Sequence, residues 1–342
     1  MSDALQRKNE HLSLFEKYYD PNQKNDFDEI RLVPTLIPEL NLSEVDPTID
    51  ILGSHFLHSF FINAMTGGSS RAKEINSQLA TIANKYHLAM AVGSQKIGII
   101  DQNTKDSFSV VREKNPDGFI IANLSANQKI EHVKEAIKMI DANAIQLHLN
   151  SIQELVNSEG DRDFHLLNNI ENIVNSIEQP VIIKSVGFGI NPNDVKRLSD
   201  IGVKVFDVSG TGGTNFIKIE NQQNKTHHLD YLEELGLSTV ESLLAAKKYA
   251  VNLIGSGGVR NPLDIIKAHV LGAKLVGISG TFLHPLIKRD PDSLETMITE
   301  WIEMIPKIML MIGTKNLEEL KQAPYIPSSK IANSVNFLDK NF

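Results

Sequence analysis

The strongest chemical signal in the sequence is a pair of glycine-rich turns. The apolar run Asn252-Leu253-Ile254-Gly255 enters Ser256-Gly257-Gly258, and the run Leu275-Val276-Gly277-Ile278 stops at Ser279-Gly280. Two strand-to-turn units that end in glycine can aim unpaired backbone amides at one place, and such amides bind phosphate. Two ordinary tight turns would read the same way. A second group follows the run Ala144 to Leu149. Alternation places Gln146, His148 and Asn150 on one face of a strand, with Gln153 and Glu154 just beyond it. Glu154 is an oxygen donor of the kind Mg²⁺ shares with substrate phosphates, or else an exposed loop carboxylate. Lys184 closes a third apolar run. It could form a Schiff base, pair with an electron-rich, partly anionic ring, or snorkel outward. Asp207 closes a fourth, where an inward functional role and a buried structural one are equally open. No Ser-His-Asp arrangement and no carboxylate pair suited to glycoside chemistry can be placed. A site of amides, hydroxyls, glycines and one lysine suits a large polar cofactor better than unaided acid–base work.

The elements that must carry these groups form a strand–helix rhythm. Strand-like runs lie at Phe60 to Ala64, Ala89 to Gly93, Gly118 to Leu124, Ala144 to Leu149, Val181 to Val186, Val203 to Val208, Asn252 to Gly255 and Lys274 to Ile278. Helix-like stretches separate them, among them Arg71 to Tyr86, Ile130 to Ile140, Asn193 to Asp200 and Ser238 to Tyr249. Alternating βα units imply a parallel sheet covered on both faces. Eight of them in roughly 250 residues fit a closed (β/α)8 TIM barrel, whose phosphate sites usually follow the seventh and eighth strands. No GxGxxG turn follows the first strand, which argues against a dinucleotide-binding sheet. The expected layout is one domain: an extension over 1–59, a barrel over 60–313 and a tail over 314–342. In the extension, Asp3 to Tyr19 reads as a helix with Leu5, Leu12 and Phe15 near one face, and Phe27 to Val45 reads as extended or irregular around Pro34 and Pro38. Arg7, Lys8 and His11 fall within about one helical turn, a spacing that by itself describes a solvated face.

Composition narrows the partners. With 342 residues, 41% apolar and 22% charged, the chain can bury a large core. A net charge of −8 without a long basic block argues against nucleic acid or an anionic membrane as partner. The absence of cysteine fits a reducing cytoplasm, and neither a signal peptide nor an apolar run long enough to span a bilayer is found.

Taken together, several motifs resemble one family over nearly the whole chain. RKNEHL at Arg7 to Leu12, AMTGG at Ala64 to Gly68, GSQK at Gly93 to Lys96 and ANLSA at Ala122 to Ala126 belong to this set. So do QLHLNSIQE at Gln146 to Glu154, GDRDF at Gly160 to Phe164, SGTGGTNF at Ser209 to Phe216 and SGGVRNPLDIIKA at Ser256 to Ala268. This pattern resembles type 2 isopentenyl-diphosphate isomerase, the FMN-dependent form. The glycine turns are shared with other FMN barrels, whereas the strand-four run together with Arg7-Lys8 is far more specific.

The resemblance implies a role for each matching position. Ala64, Met65, Thr66, Ser94 and Asn123 would line the flavin ring, and Lys184, Ser209 and Thr214 would contact FMN as well. Gly258, Val259 and Arg260, with Ser279 and Gly280, would hold its phosphate. Arg7, Lys8 and Lys96 would grip the substrate diphosphate, helped by His148 and Asn150. Gln153 would sit against the alkene, and Glu154 would bind Mg²⁺. The implied reaction interconverts isopentenyl and dimethylallyl diphosphate, with Gln153 and His148 as catalytic side chains and reduced FMN as acid and base. NADPH or NADH would serve only to reduce the flavin. The implied assembly is a homotetramer or homo-octamer. Three positions depart from the pattern: Lys96 replaces an arginine, Ser185 follows Lys184 in place of a glutamate, and Leu235 to Thr239 replaces Trp-Gly-Ile-Pro-Thr. An oxidase of 2-hydroxy acids on a similar barrel needs a basic histidine and a carboxylate-binding arginine. The loop Ser209 to Thr214 contains neither.

Overall fold

The computed structural model describes residues 3–157, 160–223 and 229–342, and for residues 3–9, 11 and 223 the backbone alone. Its centre is a closed parallel barrel of eight strands. Before it come helix α1 (Asp3–Tyr18), strand β1 (Ile30–Leu32) and the hairpin β2 (Ile49–Ile51) and β3 (Ser54–Phe56). The barrel then runs β4 (Phe60–Ile62), α2 (Ser70–Tyr86), β5 (Met90–Ala91), α3 (Lys96–Ile100), α4 (Asp106–Lys114), β6 (Ile120–Ser125) and α5 (Ile130–Met139). It continues through β7 (Ala144–His148), α6 (Ser151–Val156), α7 (Leu167–Ser176), β8 (Val181–Lys184), α8 (Pro192–Asp200), β9 (Val205–Asp207), α9 (Phe216–Gln223) and α10 (Thr239–Ala246). The barrel ends with β10 (Asn252–Ser256), α11 (Pro262–Val270), β11 (Ala273–Ile278) and α12 (Gly280–Lys288). Helices α13 (Pro291–Ile312) and α14 (Leu317–Leu320), strand β12 (Tyr325–Pro327) and helix α15 (Ser329–Asn341) complete the chain. All eight strand-like runs of the sequence become barrel strands, and β11 closes the ring on β4 through Val276 opposite Phe60.

Local chemistry explains why the helices start where they do. Asn191, Asn261 and Asp290 each precede a proline and cap α8, α11 and α13 by accepting from an amide three residues on. Proline is tolerated there because the first turn needs no amide donor. Ser238 and Glu241 form a reciprocal capping box on α10. The barrel strands are buried on both sides, so they read as apolar runs rather than alternations: Phe60, Phe61 and Ile62 are all within 1% of full burial. Outside the barrel wall, Trp301 of α13 packs on Phe282 of α12 with ring centroids 5.1 Å apart.

The two ends of the chain meet. Residues 27–45, expected to be extended or irregular, contain β1, which pairs antiparallel with β12 through Ile30 opposite Pro327. The tail after residue 314 is therefore a clasp on the N-terminal extension. The β2–β3 hairpin turns through Leu52 and Gly53, both at positive φ, and Phe56 packs on Phe119 just before β6. That contact places the hairpin under the amino-terminal end of the barrel, opposite the strand ends that carry polar residues. Among the described residues no helix is long and apolar enough to cross a membrane.

One buried titrating group links this packing to pH. His269 on α11 is fully buried, donates from Nδ1 to the Ala273 carbonyl at 2.9 Å, and is pushed down to about 4 by desolvation. Below its unfolded value near 6.5 the unfolded chain binds the proton and the folded chain does not, so stability falls as pH drops from 6.5 towards 4. The contribution lost amounts to about 3 kcal/mol. Melting temperatures of the wild type and of His269→Gln, followed from pH 7 to pH 4.5, should converge as pH falls.

Candidate active site

At the carboxyl ends of the strands, a hydrogen-bonded belt crosses the barrel interior. Asp207, at the end of β9, is fully buried. Its Oδ2 accepts from Lys184 Nζ at 2.5 Å and from Asn63 Nδ2 at 2.8 Å, while Oδ1 accepts from Ser256 Oγ at 2.5 Å and from the Ser209 amide at 3.2 Å. Asn63 Oδ1 accepts from Gln146 Nε2 at 3.0 Å, and Gln146 Oε1 accepts from Asn123 Nδ2 at 3.3 Å. Asn123 Oδ1 then takes the Nδ1–H of His148 at 2.9 Å, which selects that tautomer of the imidazole. Gln95 lies beneath and accepts the Asn123 amide at 3.0 Å. A buried carboxylate facing one lysine and surrounded by donors is affordable only because each of its lone pairs is used.

Above the belt lies a cavity of about 520 Å³, within the size range of cofactor sites. Its floor and walls come from Ala64 to Gly67, Ser94, Lys184, the loops after β9 and β10, and Ser279 to Thr281. The glycines are structural requirements here. Gly257 and Gly258 have φ of +96° and +79°, and a Cβ on Gly257 would stand 2.3 Å from the Gly210 carbonyl oxygen. Gly213 faces Gly258 so closely that a Cβ would lie 2.9 Å from the Gly258 nitrogen. No hydrogen bond from the amides of Gly257, Gly258 or Val259 occurs among the described residues, and the first amides of α12 receive no side-chain cap from Ser279. Those donors make an anion cradle.

Helix α1 roofs this cradle. Leu12 and Phe15 are buried, as their shared helical face predicts, and Phe15 comes so near Gly280 that a Cβ there would stand 2.9 Å away. Tyr19, just past the helix, has its hydroxyl pKa pushed up by burial and hydrogen-bonds Thr281. Glu16 ties the roof down through ion pairs with Arg71 of α2 and Lys288 of α12. The Arg7 and Lys8 side chains, like that of Leu5, lie outside the described residues.

The polar groups after β7 take a different place. His148, Asn150 and Glu154 line a second pocket of about 550 Å³ between the ends of β6, β7 and β8. Asn150 caps α6 by accepting the Gln153 amide at 2.9 Å and donates from Nδ2 to Gln153 Oε1 at 3.1 Å. Gln153 Nε2 in turn donates to Glu220 Oε1 of α9 at 3.0 Å, so the Gln153 amide is oriented from both ends. Glu154 is half-buried, and its Oε2 accepts the Asp161 amide at 2.9 Å.

A profile of the family described as FMN-dependent dehydrogenase matches residues 102–326. The curated isopentenyl-diphosphate delta-isomerase of Latilactobacillus sakei is 44% identical over 332 residues, covering 96% of this chain and 95% of that protein. The chain belongs to the type 2 isopentenyl-diphosphate delta-isomerase family. Relatives with the same name from Limosilactobacillus reuteri and Staphylococcus haemolyticus are 43% and 42% identical over 95% of this chain, and cover 95% and 94% of those proteins. Among solved structures, a flavocytochrome b2 with pyruvate bound aligns with a TM-score of 0.69 at 18% identity, covering 97% of this chain and 84% of that one. A mandelate oxidase with a monooxide FMN adduct gives 0.64 at 15%, with 93% and 92% covered. At such identities the likeness concerns the barrel alone.

For an isomerase-family barrel, the fit of the sequence assignments is uneven. Every residue assigned to the flavin lines the cavity above the belt except Asn123, which sits 4% exposed in the belt itself. Arg260 lines the cavity but spends its donors elsewhere. Nε bonds Asp264, Nη1 bonds the Gln23 carbonyl and Asp28, and Nη2 bonds Asp28 and Asp264. Lys96 is exposed at the start of α3 and, like Gln153, lines neither pocket. Reasoning from sequence missed Asn63, Gln95 and Glu220. The amides were invisible because Asn63, just past β4, and Gln95, just before α3, look like ordinary polar residues in the loops that follow strands. Glu220, 3% exposed, is one acid among polar neighbours until α9 packs beside α6. Asp207 resolves to the hub of the belt. Replacing it by Asn leaves Lys184 as an unpaired buried charge, so Asp207→Asn should destabilise the protein by about 3 kcal/mol or more, read from urea denaturation midpoints.

Proposed function

We propose that this protein interconverts isopentenyl and dimethylallyl diphosphate at the mouth of its barrel, with FMN as its resident cofactor in the cavity above the belt. The observation that carries the reading is the cradle: glycines no Cβ could replace, amides without acceptors and a helix N-terminus, all beside the buried Lys184. That donor set fits a phosphate at one end and a planar polar ring at the other. Reduced FMN bound there, kept reduced by NADPH or NADH, would supply the proton donor and acceptor for the alkene.

The chain's own residues bind, orient and exclude water. Gly258 and Val259, with Ser279 and Gly280, hold the phosphate end, and Arg260 stands beside them with its own donors paired within the chain. Ala64, Met65, Thr66, Ser94, Lys184, Ser209 and Thr214 line the ring, and Asn123 supports it from below through Gln146 and Asn63. Leu12, Phe15 and Tyr19 form an apolar roof that keeps water from the reacting carbons. The substrate diphosphate lies towards His148, Asn150 and Lys96, and Arg7 and Lys8 of the arm complete its neutralisation. Glu154 would hold Mg²⁺ there, as a carboxylate oxygen of the kind that ion shares with substrate phosphates. Gln153, held between Asn150 and Glu220, presents a fixed amide to the alkene end.

An oxidase of 2-hydroxy acids is the alternative the barrel neighbours raise. It needs a histidine base and an arginine for the carboxylate. Among the described residues lining the cavity above the belt there is no histidine, and the one arginine, Arg260, is paired with two carboxylates. A homotetramer or homo-octamer is carried over from the family resemblance, and a reducing cytoplasm suits a chain without cysteine.

The test is an anaerobic incubation with isopentenyl diphosphate, FMN, Mg²⁺ and NADPH. Dimethylallyl diphosphate should form in large molar excess over NADPH consumed; absence of isomer with flavin bound would sink the reading. Gln153→Ala should lower turnover about 10²-fold while the flavin stays bound, as expected when a group that fixes reacting geometry is lost.

A further inference from the structure

The loop that presents amides to the cavity is shaped from outside by the N-terminal extension. Each carbonyl from Ser256 to Val259 is claimed by a donor. Thr239 Oγ1 lies 2.7 Å from both the Ser256 and Gly257 carbonyl oxygens, Asn25 Nδ2 donates to the Gly258 oxygen at 2.8 Å, and Thr281 Oγ1 donates to the Val259 oxygen at 2.6 Å. A trans peptide is planar, with N–H and C=O pointing opposite ways. Anchoring the Gly258 carbonyl on Asn25, which does not line the cavity, therefore turns the Val259 N–H towards the cavity that Val259 lines. Asn25 is wedged between two glycine loops: a Cβ on Gly212 would stand 2.9 Å from its Cβ, and one on Gly258 would stand 2.8 Å from its Nδ2.

Asn25 is held in turn by Asp28. The Asn25 amide donates to Asp28 Oδ2 at 3.1 Å, and Asn25 Oδ1 accepts the Phe27 amide at 2.9 Å. Asp28 also grips Arg260 with both oxygens, at 2.7 and 3.0 Å. With Asp264 and the Gln23 carbonyl, all five guanidinium N–H groups have acceptors inside the chain, and the Arg260 amide itself goes to Asp264 Oδ2 at 3.0 Å. The charges nearby are closed as well. Two carboxylates, Asp28 and Asp264, face two cations, Arg260 and Lys267, and Lys267 Nζ is bound to the Phe27 carbonyl at 2.7 Å.

We infer that Asn25 and Asp28 are positioning residues for the cofactor-phosphate loop, and that Arg260 acts as their strut rather than as a ligand of the phosphate. This rests on the flavin reading above and adds to it residues from outside the barrel. The two roles for Arg260 predict opposite signs. If Arg260 were a phosphate ligand, Asp28→Asn would free its donors, remove a nearby negative charge and leave FMN binding unchanged or tighter. If the brace sets the loop, the same change loosens the amides and weakens FMN.

The experiment is a fluorescence titration of the flavin-stripped full chain with FMN and, separately, with riboflavin, which lacks the phosphate. Asp28→Asn should raise the FMN dissociation constant about tenfold and leave that of riboflavin within twofold. Arg260→Gln should do the same, and the double variant should be no worse than either single one, because both act through one brace. Asp28→Glu should recover part of the loss. FMN affinity unchanged or increased in Asp28→Asn, or an equal loss for riboflavin, would overturn the inference. Circular dichroism checks folding; should Asp28→Asn not fold, Asn25→Ser carries the same expectations. Wild-type protein that binds neither flavin would defeat the cofactor reading itself, an outcome distinct from failure of the brace.

Discussion

The Asp207 carboxylate is the constraint on which the mouth of the barrel depends. A buried carboxylate without partners is far too costly for a fold of marginal stability, so the surrounding strands must supply donors. They do so from four directions: Lys184 on β8, Ser256 on β10, Asn63 just past β4, and the amide of Ser209 following β9 itself. This binds non-neighbouring strands across the axis as well as neighbours along the ladder. Lys184 cannot snorkel outward while it serves Asp207. The loop after β9 cannot move without breaking the Ser209 contact. The glycine turns are thus built on a fixed base.

From that base the site divides by chemistry. On the β10–β11 side the donors are amides, which carry partial charge, need no counter-ion and cannot titrate. This side suits a permanently held anionic group. On the β7 side the groups are side chains, His148, Asn150, Gln153 and Glu154, held in place by Asn123, the Val186 carbonyl, Glu220 and the Asp161 amide. The belt of Asn63, Gln146 and Asn123 joins the two sides with neutral amides alone. A carboxylate introduced there would compete with Asp207 for Lys184.

Much of this was legible along the chain. Eight apolar runs, asparagine or aspartate before proline at helix starts, and glycines after the last two strands are local signals, because propensity, capping and positive φ act within a few residues. Less was legible where partners are far apart. The strand Ile30–Leu32 is too short and too close to Pro34 to read as a strand until Tyr325–Pro327 lies beside it. Glu220 became informative only when α9 brought it within 3.0 Å of Gln153 Nε2. Arg260 reads as a phosphate ligand through the family resemblance. Its occupied donors depend on Asp28, 232 positions away.

The barrel, the glycine turns after its last two strands and the family are written in residue types in short, ordered patterns. Which groups face the cavity, which brace it from behind and how the ends of the chain clasp depend on the folded arrangement. Hydrogen bonds and ion pairs have directions and a reach of about 3 Å. Whether a side chain is a ligand or a strut depends on what stands at the end of that reach, and distant segments put it there.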